Sequence, residues 1–185
     1  MERFRFHSTP LSGLTVIERT RIEDTRGFLG RFFCQETLAT LGMKPIQQIN
    51  HTLTRKAGVI RGMHFQYPPA AEIKIVSCLQ GSILDVAVDL RANSPTFLQW
   101  FAAELSAENQ QSLFIPEGFA HGFQTLTENC ELFYLHSVNY SPQYEAGLNP
   151  LDSRLAIVWP LTVTEISARD QAHPILDSSF KGIRL

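Results

Sequence analysis

Two histidines stand in glycine-containing segments and are the first candidates for chemistry. His64 lies in Gly-Val-Ile-Arg-Gly-Met-His-Phe-Gln at 58–66, and His121 lies in Pro-Glu-Gly-Phe-Ala-His-Gly-Phe-Gln-Thr at 116–125. An imidazole can bind a metal ion or transfer a proton near neutral pH. An isolated histidine is more commonly a buried side chain with hydrogen-bonded nitrogens, so neither histidine decides the question alone.

Four polar side chains in apolar strand or turn contexts shift this balance. They are Arg61, Lys74, Tyr134 and Asp170. Burying several ionisable groups costs free energy, and such groups cluster at functional sites. The set therefore favours an active site, although each member has an ordinary alternative: a surface arginine, a lysine reaching the rim, a core tyrosine or a helix-terminal carboxylate.

Period-two patterns place these groups on β-strands. Residues 82–90 alternate between aliphatic side chains and a set that contains Asp85, with turn residues on both sides, which predicts a strand. An extended run upstream would put Lys74 beside Val76, and a later one would put Tyr134 beside His136. Asp85 is then either a structural carboxylate, the first choice, or a buried partner of Lys74.

The remaining pattern is a series of short strand-like runs between residues 58 and 159, which predicts a sandwich or barrel. Helices are sparse. Residues 35–41 form one candidate helix, and Ser167 is a candidate N-cap for a second.

Composition favours a single globular domain that acts on small molecules. The chain has 185 residues, 44% hydrophobic and 18% charged, with a net charge of -2, which gives no reason to expect nucleic-acid binding. Its three cysteines lack CxxC spacing, as expected in a reducing compartment. No signal-peptide or membrane segment is evident, so we predict a soluble cytoplasmic protein.

The two histidine segments resemble the paired motifs of the cupin superfamily. This resemblance implies an all-β fold, a cupin-type double-stranded β-helix (jelly roll) with a few short helices. Metal-binding cupins have His-x-His with a nearby Glu, whereas here Gln66 replaces the second histidine and Glu72 lies beyond the usual interval. Because a catalytic metal usually needs three protein ligands, we predict no metal and no other cofactor.

A longer set of motifs is similar to the dTDP-4-dehydrorhamnose 3,5-epimerase family through nearly the whole chain. The matching stretches are 61–66 (Arg-Gly-Met-His-Phe-Gln), 85–89 (Asp-Val-Ala-Val-Asp), 94–97 (Ser-Pro-Thr-Phe), 105–109 (Leu-Ser-Ala-Glu-Asn), 115–123 (Ile-Pro-Glu-Gly-Phe-Ala-His-Gly-Phe) and 167–170 (Ser-Ala-Arg-Asp). Contiguous motifs of this length are far more specific than one short pattern.

The resemblance implies four catalytic residues. His64 would be the base, held by Asp170, Tyr134 would be the opposing acid, and Lys74 would stabilise the enolate. A C4 ketone acidifies the hydrogens at C3 and C5, and a neutral imidazole has a suitable pKa to remove them. Inversion then requires a proton from the opposite face of the sugar ring.

The resemblance also implies substrate-binding residues and a homodimer. The nucleotide sugar would be held by Arg26, Phe28, Gln48, Asn50, Arg61, His121, Tyr140, Glu145 and Arg169. Of these, Tyr140 would stack on the base, while Arg61 and His121 would place charge or donors near the ketone oxygen. In the family the Arg26 segment reaches across a dimer interface, whereas the ordinary alternative for each arginine is a solvated surface charge.

The predicted organisation is one domain over 1–185. Its β core would span about 45–160, the N-terminal segment 1–44 would contribute to the dimer, and the C-terminal segment 161–185 would be helical. The expected role is deoxysugar supply for a surface polysaccharide, such as a lipopolysaccharide O-antigen, or for a glycosylated metabolite.

Several positions depart from the family pattern. Arg31 and Ile49 replace carboxylates expected near the nucleobase, which raises the hypothesis of another nucleotide such as CDP. Leu135 replaces a common lysine, and residues 148–152 lack a typical Trp-Asn pair. The sequence therefore leaves open whether C3, C5 or both carbons are inverted.

Three alternatives compete with the epimerase of dTDP sugars. The first is a single-site C3 epimerase acting on a CDP-linked 4-keto-6-deoxyhexose. A metal-dependent cupin dioxygenase or isomerase is the second, and the missing ligands count against it. A non-catalytic sugar-binding cupin is the third, although it would be expected to lack His64 or Tyr134.

Overall fold

The structure, a computed structural model, describes residues 2–185 as fourteen strands and two short helices. The strands are β1 Phe4–Ser8, β2 Thr15–Arg19, β3 Arg21–Asp24, β4 Gly27–Gly30, β5 Gln48–Thr54, β6 Val59–Gln66, β7 Lys74–Gln80, β8 Ser82–Asp89, β9 Trp100–Ser106, β10 Gln111–Ile115, β11 Phe119–Thr125, β12 Cys130–His136, β13 Glu145–Gly147 and β14 Glu165–Ile166. The helices are α1 Gln35–Leu38, which continues into a 3₁₀ turn at Ala39–Leu41, and α2 Ala168–Gln171.

Two mainly antiparallel sheets face each other. The first has the order β1-β2-β10-β7-β12-β5, and the second has the order β13-β6-β11-β8-β9 with β14 added in parallel to β6. Strands β3 and β4 form a separate hairpin. This arrangement confirms the predicted all-β, cupin-type jelly roll with few helices.

Strand β8 illustrates why the core positions the site so firmly. Its residues Ile83 and Ala87 pack between the two sheets, whereas Val86 and Val88 pack beneath the C-terminal segment. All four side chains are almost fully buried. Because both faces are covered, a slip of register by one residue would misplace every side chain, including Asp85 on the inner face.

The two chain ends differ in part from the predicted organisation. Strands β1 and β2 extend the first sheet, so the N-terminal segment contributes to the β core as well. The C-terminal segment is mostly irregular, and its only helix among the described residues is the single turn α2. Ser167 caps that turn by accepting the Asp170 N–H at 3.0 Å, as predicted, and Pro174 follows soon after, where proline disfavours a continued helix.

The predicted helix at 35–41 is confirmed as α1 with its 3₁₀ continuation. Within residues 2–185, no helix is long and apolar enough to cross a membrane. Met1 lies outside the described residues.

Candidate active site

A cavity of about 320 Å³ lies between the two sheets and collects most of the predicted site residues. Ten of the thirteen line it, namely His64, Tyr134, Lys74, Gln48, Asn50, Arg61, His121, Tyr140, Glu145 and Arg169. An eleventh, Asp170, contacts His64 directly. The lining also includes Thr52, Phe65, Gln66, Glu72, Phe123 and His136, none of which was among the predicted residues.

Glycines let the two histidine strands approach closely. His64 on β6 and His121 on β11 are direct partners in the antiparallel ladder. A Cβ atom on Gly62 would lie 2.5 Å from the Cα of Gly122, and Gly62 has φ +120, a conformation that side-chain-bearing residues rarely adopt. The glycines in both motifs therefore bring the two imidazoles side by side.

His64 is held by a buried carboxylate. Its Nε2 lies 2.7 Å from Asp170 Oδ1, while the Gly62 N–H donates to Asp170 Oδ2 at 3.1 Å. Burial alone would raise the pKa of Asp170, but these hydrogen bonds lower it to about 2. The carboxylate is therefore ionised at neutral pH, and it can fix the imidazole tautomer and leave Nδ1 available as a proton acceptor.

Arg169 connects His64 to the rim of the cavity. Its Nη2 lies 3.1 Å from His64 Nε2, and its Nη1 lies 3.2 Å from Glu145 Oε1. The Tyr140 hydroxyl donates to Glu145 Oε2 at 2.7 Å. Tyr140 is half exposed, so the rim offers an aromatic face and a guanidinium close together.

His121 forms a second, deeper histidine–carboxylate pair. Its Nε2 lies 2.7 Å from Asp85 Oδ1, and both side chains are almost fully buried. Burial lowers the pKa of His121, and Asp85 opposes this effect only in part. Asp85 is thus the partner of His121, and the possible pairing with Lys74 is wrong because β8 lies in the sheet that holds His121.

Lys74 instead forms an ion pair with Glu72. The Lys74 Nζ lies 3.0 Å from Glu72 Oε1, and Glu72 Oε2 lies 2.7 Å from His136 Nδ1. All three side chains are almost buried, so the alternative of a lysine reaching the rim is wrong. The period-two pattern could have identified His136 as an inward-facing residue, because it shares a face of β12 with Tyr134. Glu72 precedes β7, so strand alternation gave no such signal for it.

Tyr134 faces the histidine pair from the opposite sheet. It lies on β12, and its ring centroid is 6.1 Å from that of His121. Burial raises the pKa of the Tyr134 hydroxyl well above its usual range. The phenol is therefore protonated at neutral pH and can act as a proton donor.

Two predicted binding residues lie away from this cavity. Arg26 and Phe28 belong to the β3–β4 hairpin, where Arg26 pairs with Asp24 and is 88% exposed. The Arg21 guanidinium stacks on the Phe28 ring at 4.0 Å. Within one chain, neither predicted residue contributes to the cavity.

The two departures near the expected nucleobase site also lie outside the cavity lining. Arg31 is exposed in the segment after the hairpin. Ile49 lies between Gln48 and Asn50 on β5, and because strand side chains alternate it points outward and is 56% exposed. Within a single chain, neither position therefore contributes a side chain to this cavity.

One group of side chains has the spacing of a metal site, but its surroundings oppose a cation. Ligand atoms of His64, Asp170 and His173 lie within 4.8 Å of one another. The Arg169 guanidinium already occupies this region: its Nη2 lies 3.1 Å from His64 Nε2, and its Nε lies 3.7 Å from Asp170 Oδ1. A second cation there would be repelled. The geometry thus supports the metal-free prediction, which stays a prediction.

The arrangement suits proton transfer at a carbon next to a carbonyl. The His64 imidazole, paired with the ionised Asp170, lies on the second sheet, and the protonated Tyr134 phenol lies on the first; both line the cavity. Arg61, His121 and Lys74 line the same cavity and can supply donors or positive charge to an oxyanion.

Comparison with known proteins gives one consistent family. The family model of dTDP-4-dehydrorhamnose 3,5-epimerase matches residues 8–178. The chain is 41% identical to dTDP-4-dehydrorhamnose 3,5-epimerase of Salmonella typhimurium, over 93% of this chain and 95% of the relative.

Solved structures agree with the sequence matches. The dTDP-4-dehydrorhamnose 3,5-epimerase of Bacillus anthracis, with TDP and PPi bound, superposes with a TM-score of 0.90 at 38% identity, covering 94% of this chain and 99% of that one. The dTDP-6-deoxy-D-glucose-3,5-epimerase of Legionella pneumophila, in complex with dTDP-4-keto-L-rhamnose, gives 0.87 at 38% identity and covers 92% and 91%. Since motifs, fold and full-length matches agree, this chain belongs to the dTDP-4-dehydrorhamnose 3,5-epimerase family.

Proposed function

We propose that this chain is a sugar-nucleotide epimerase that inverts C3 and C5 of a dTDP-linked 4-keto-6-deoxyhexose. One observation carries the proposal: His64, which is paired with Asp170, and Tyr134 line one cavity from opposite sheets. A sugar ring between them would meet a base on one face and an acid on the other. The bound dTDP sugar and TDP of the solved relatives support the substrate class.

The proposed reaction moves two protons for each carbon inverted. His64 accepts the proton from the carbon beside the ketone, and the electron pair moves to the ketone oxygen to form an enolate. Lys74, Arg61 and His121 supply charge or donors to that oxygen. Tyr134 then donates its phenolic proton to the opposite face of the carbon, and the two groups regain their starting protonation by exchange with solvent.

The comparisons do not favour the alternatives. The names of the three relatives described above refer to dTDP or TDP, which speaks against a CDP-linked substrate. These 3,5-epimerases are 38–41% identical to this chain, whereas a 3'-monoepimerase of Streptomyces bikiniensis is 31–32% identical, which favours inversion at both carbons over a C3-only reaction. A metal-dependent dioxygenase or isomerase is likewise not favoured. Location in the cytoplasm and supply of a polysaccharide pathway stay predictions.

The test of this function is solvent-proton exchange. The purified enzyme is incubated in D₂O with dTDP-linked and, separately, CDP-linked 4-keto-6-deoxyglucose, and deuterium is located by NMR and mass spectrometry. We expect incorporation at both C3 and C5 of the dTDP sugar. Exchange at C3 alone, or faster turnover of the CDP sugar, would contradict the proposal in regiochemistry or base preference. His64→Ala serves as the control, and an unchanged exchange rate in this variant would contradict the assigned base.

The hairpin suggests a homodimer with shared sites. Arg26, Phe28 and Leu29 are strongly exposed and lie away from their own cavity, as expected if they complete a partner's site. Mixed dimers of Arg26→Ala and His64→Ala test this: each mixed dimer would combine an intact His64 with an intact Arg26 in one site. We expect mixing to recover activity above that of either variant alone. No recovery despite exchange of subunits would contradict a cross-subunit role.

A further inference from the structure

A row of hydrogen-bonded side chains lines the Tyr134 side of the cavity. At its outer end the backbone N–H of Tyr140 donates to Gln48 Oε1 at 2.9 Å. The Gln48 Nε2 donates to Asn50 Oδ1 at 3.0 Å, and Asn50 Nδ2 lies 3.4 Å from His136 Nε2. These contacts connect the rim with the interior of the first sheet.

The row continues inward from His136. Its Nδ1 lies 2.7 Å from Glu72 Oε2, and Glu72 Oε1 lies 3.0 Å from Lys74 Nζ. His136 and Lys74 are register partners on adjacent strands β12 and β7. The exposed fractions of the Glu72, Lys74 and His136 side chains are only 10–11%. Because water has little access to the Glu72 carboxylate, Lys74 and His136 must stabilise its charge.

The direction of every bond in this row follows from its outer end. A backbone N–H can only donate, so Gln48 must accept with Oε1 and donate with Nε2, and Asn50 must then donate with Nδ2. His136 therefore accepts at Nε2 and donates from Nδ1 to Glu72. Burial would raise the pKa of Glu72, but the Lys74 charge and the His136 hydrogen bond lower it to about 2, so it is an acceptor at neutral pH.

The two ends of the row have different proposed tasks. Gln48, Asn50 and Tyr140 belong to the nucleotide-binding set, and Lys74 belongs to the groups that stabilise the enolate. Resting on that proposed function, we propose that His136 is a positioning residue that holds Glu72, and through it the Lys74 ammonium, in register with the nucleotide-binding side chains. Binding of the nucleotide then orders Lys74 for the chemical step, so remote binding free energy lowers the barrier.

The first test compares His136→Leu with a conservative and a matched control variant. His136→Leu removes both hydrogen bonds, whereas His136→Asn keeps a donor for Glu72. The control is His51→Leu, because His51 makes a similar contact with a carboxylate, Glu131, at 2.9 Å but is half exposed on the neighbouring strand. All four proteins are assayed on the dTDP sugar below their unfolding midpoints, which are measured by circular dichroism.

We expect His136→Leu to lower kcat about tenfold with KM changed less than about twofold, since one ordered charge is lost in the transition state. His136→Asn should recover most of kcat, and His51→Leu should match wild type. Wild-type kcat in His136→Leu, or no recovery in a folded His136→Asn, would overturn the inference.

The second test asks whether His136 acts through Lys74. In the background of Lys74→Ala, we expect His136→Leu to cause no further loss of kcat, because the group that it positions is already absent. Additive losses would overturn the inference. A wild-type enzyme that exchanges no deuterium contradicts the proposed function and this inference together, whereas an active wild type with additive losses contradicts the inference alone.

Discussion

The His64–Asp170 and His121–Asp85 pairs have the same 2.7 Å hydrogen bond but different surroundings. The His64 side chain is 29% exposed and its carboxylate also accepts a backbone N–H. The His121 side chain is 6% exposed, and Asp85 Oδ2 is buried with no hydrogen-bond partner among residues 2–185.

The difference indicates how one pair of residue types can serve two tasks. An imidazole that is partly exposed at the cavity wall, with a carboxylate that is fully hydrogen-bonded, can change protonation state during turnover. A buried imidazole whose pKa is lowered by desolvation has little access to solvent protons and is held in a fixed orientation by Asp85. Burial, and not the pairing itself, therefore separates the proposed base from its neighbour.

The largest expected effect comes from breaking the His64–Asp170 pair. Asp170→Asn removes the charge that fixes the His64 tautomer, and we expect kcat to fall about 10³-fold, by analogy with other histidine–carboxylate pairs. The backbone N–H of residue 170 still reaches Ser167, so the fold should persist. Steady-state kinetics with thermal unfolding as the control measures this. A loss smaller than that of Asp85→Asn would reverse the comparison.

Tyr134→Phe tests the acid that faces both pairs. We expect net inversion to fall about 10²-fold while hydrogen exchange at C3 and C5 continues, because proton removal by His64 does not require the phenol. NMR in D₂O follows the two rates in one sample. If exchange and inversion decline together, Tyr134 also takes part in proton removal.

Breaking the more deeply buried His121–Asp85 pair should have a smaller effect. Asp85→Asn keeps an acceptor for His121 and removes a buried charge, so we expect kcat to fall about tenfold and exchange by His64 to persist. Kinetic assays beside those of Asp170→Asn give the comparison directly. Equal losses in the two variants would mean that His121 is as important for proton transfer as His64.

The smallest expected effect is on stability at low pH. The pKa of Asp170 and that of Glu72 are lowered to about 2 from ordinary values of 3.8 and 4.5. The unfolded chain therefore binds more protons in this range, and the free energy of unfolding should decrease as pH falls from about 5 towards 2. Urea unfolding across this range measures the change. Asp170→Asn should weaken the dependence, and an unchanged dependence would show that Asp170 is not ionised below its ordinary range.

Much of the fold and of the site could be predicted from the sequence because strands alternate with period two. That pattern placed Lys74 beside Val76 and Tyr134 beside His136, and the strands of the structure confirm both placements. The motif at 167–170 likewise predicted the Ser167 cap that carries Asp170 towards Gly62. Resemblance to a family, rather than periodicity, supplied the roles of these residues.

Partnerships between strands could not be predicted in the same way. Glu72 and His136 are 64 positions apart and meet only because β7 and β12 are neighbours in the first sheet. Asp85 was considered for Lys74, yet the topology places it against His121 on β11. Choice of partner depends on strand order, which local patterns do not contain.

By itself, the sequence determined which side chains share a strand face, where glycines allow close approach, and which family the chain joins. Tertiary structure alone decided which histidine is sealed, which carboxylate each cation and imidazole receives, and that the Arg26 hairpin lies away from its own cavity. The physical reason is that backbone periodicity is local, whereas burial and ion pairing arise only when distant strands pack and exclude water.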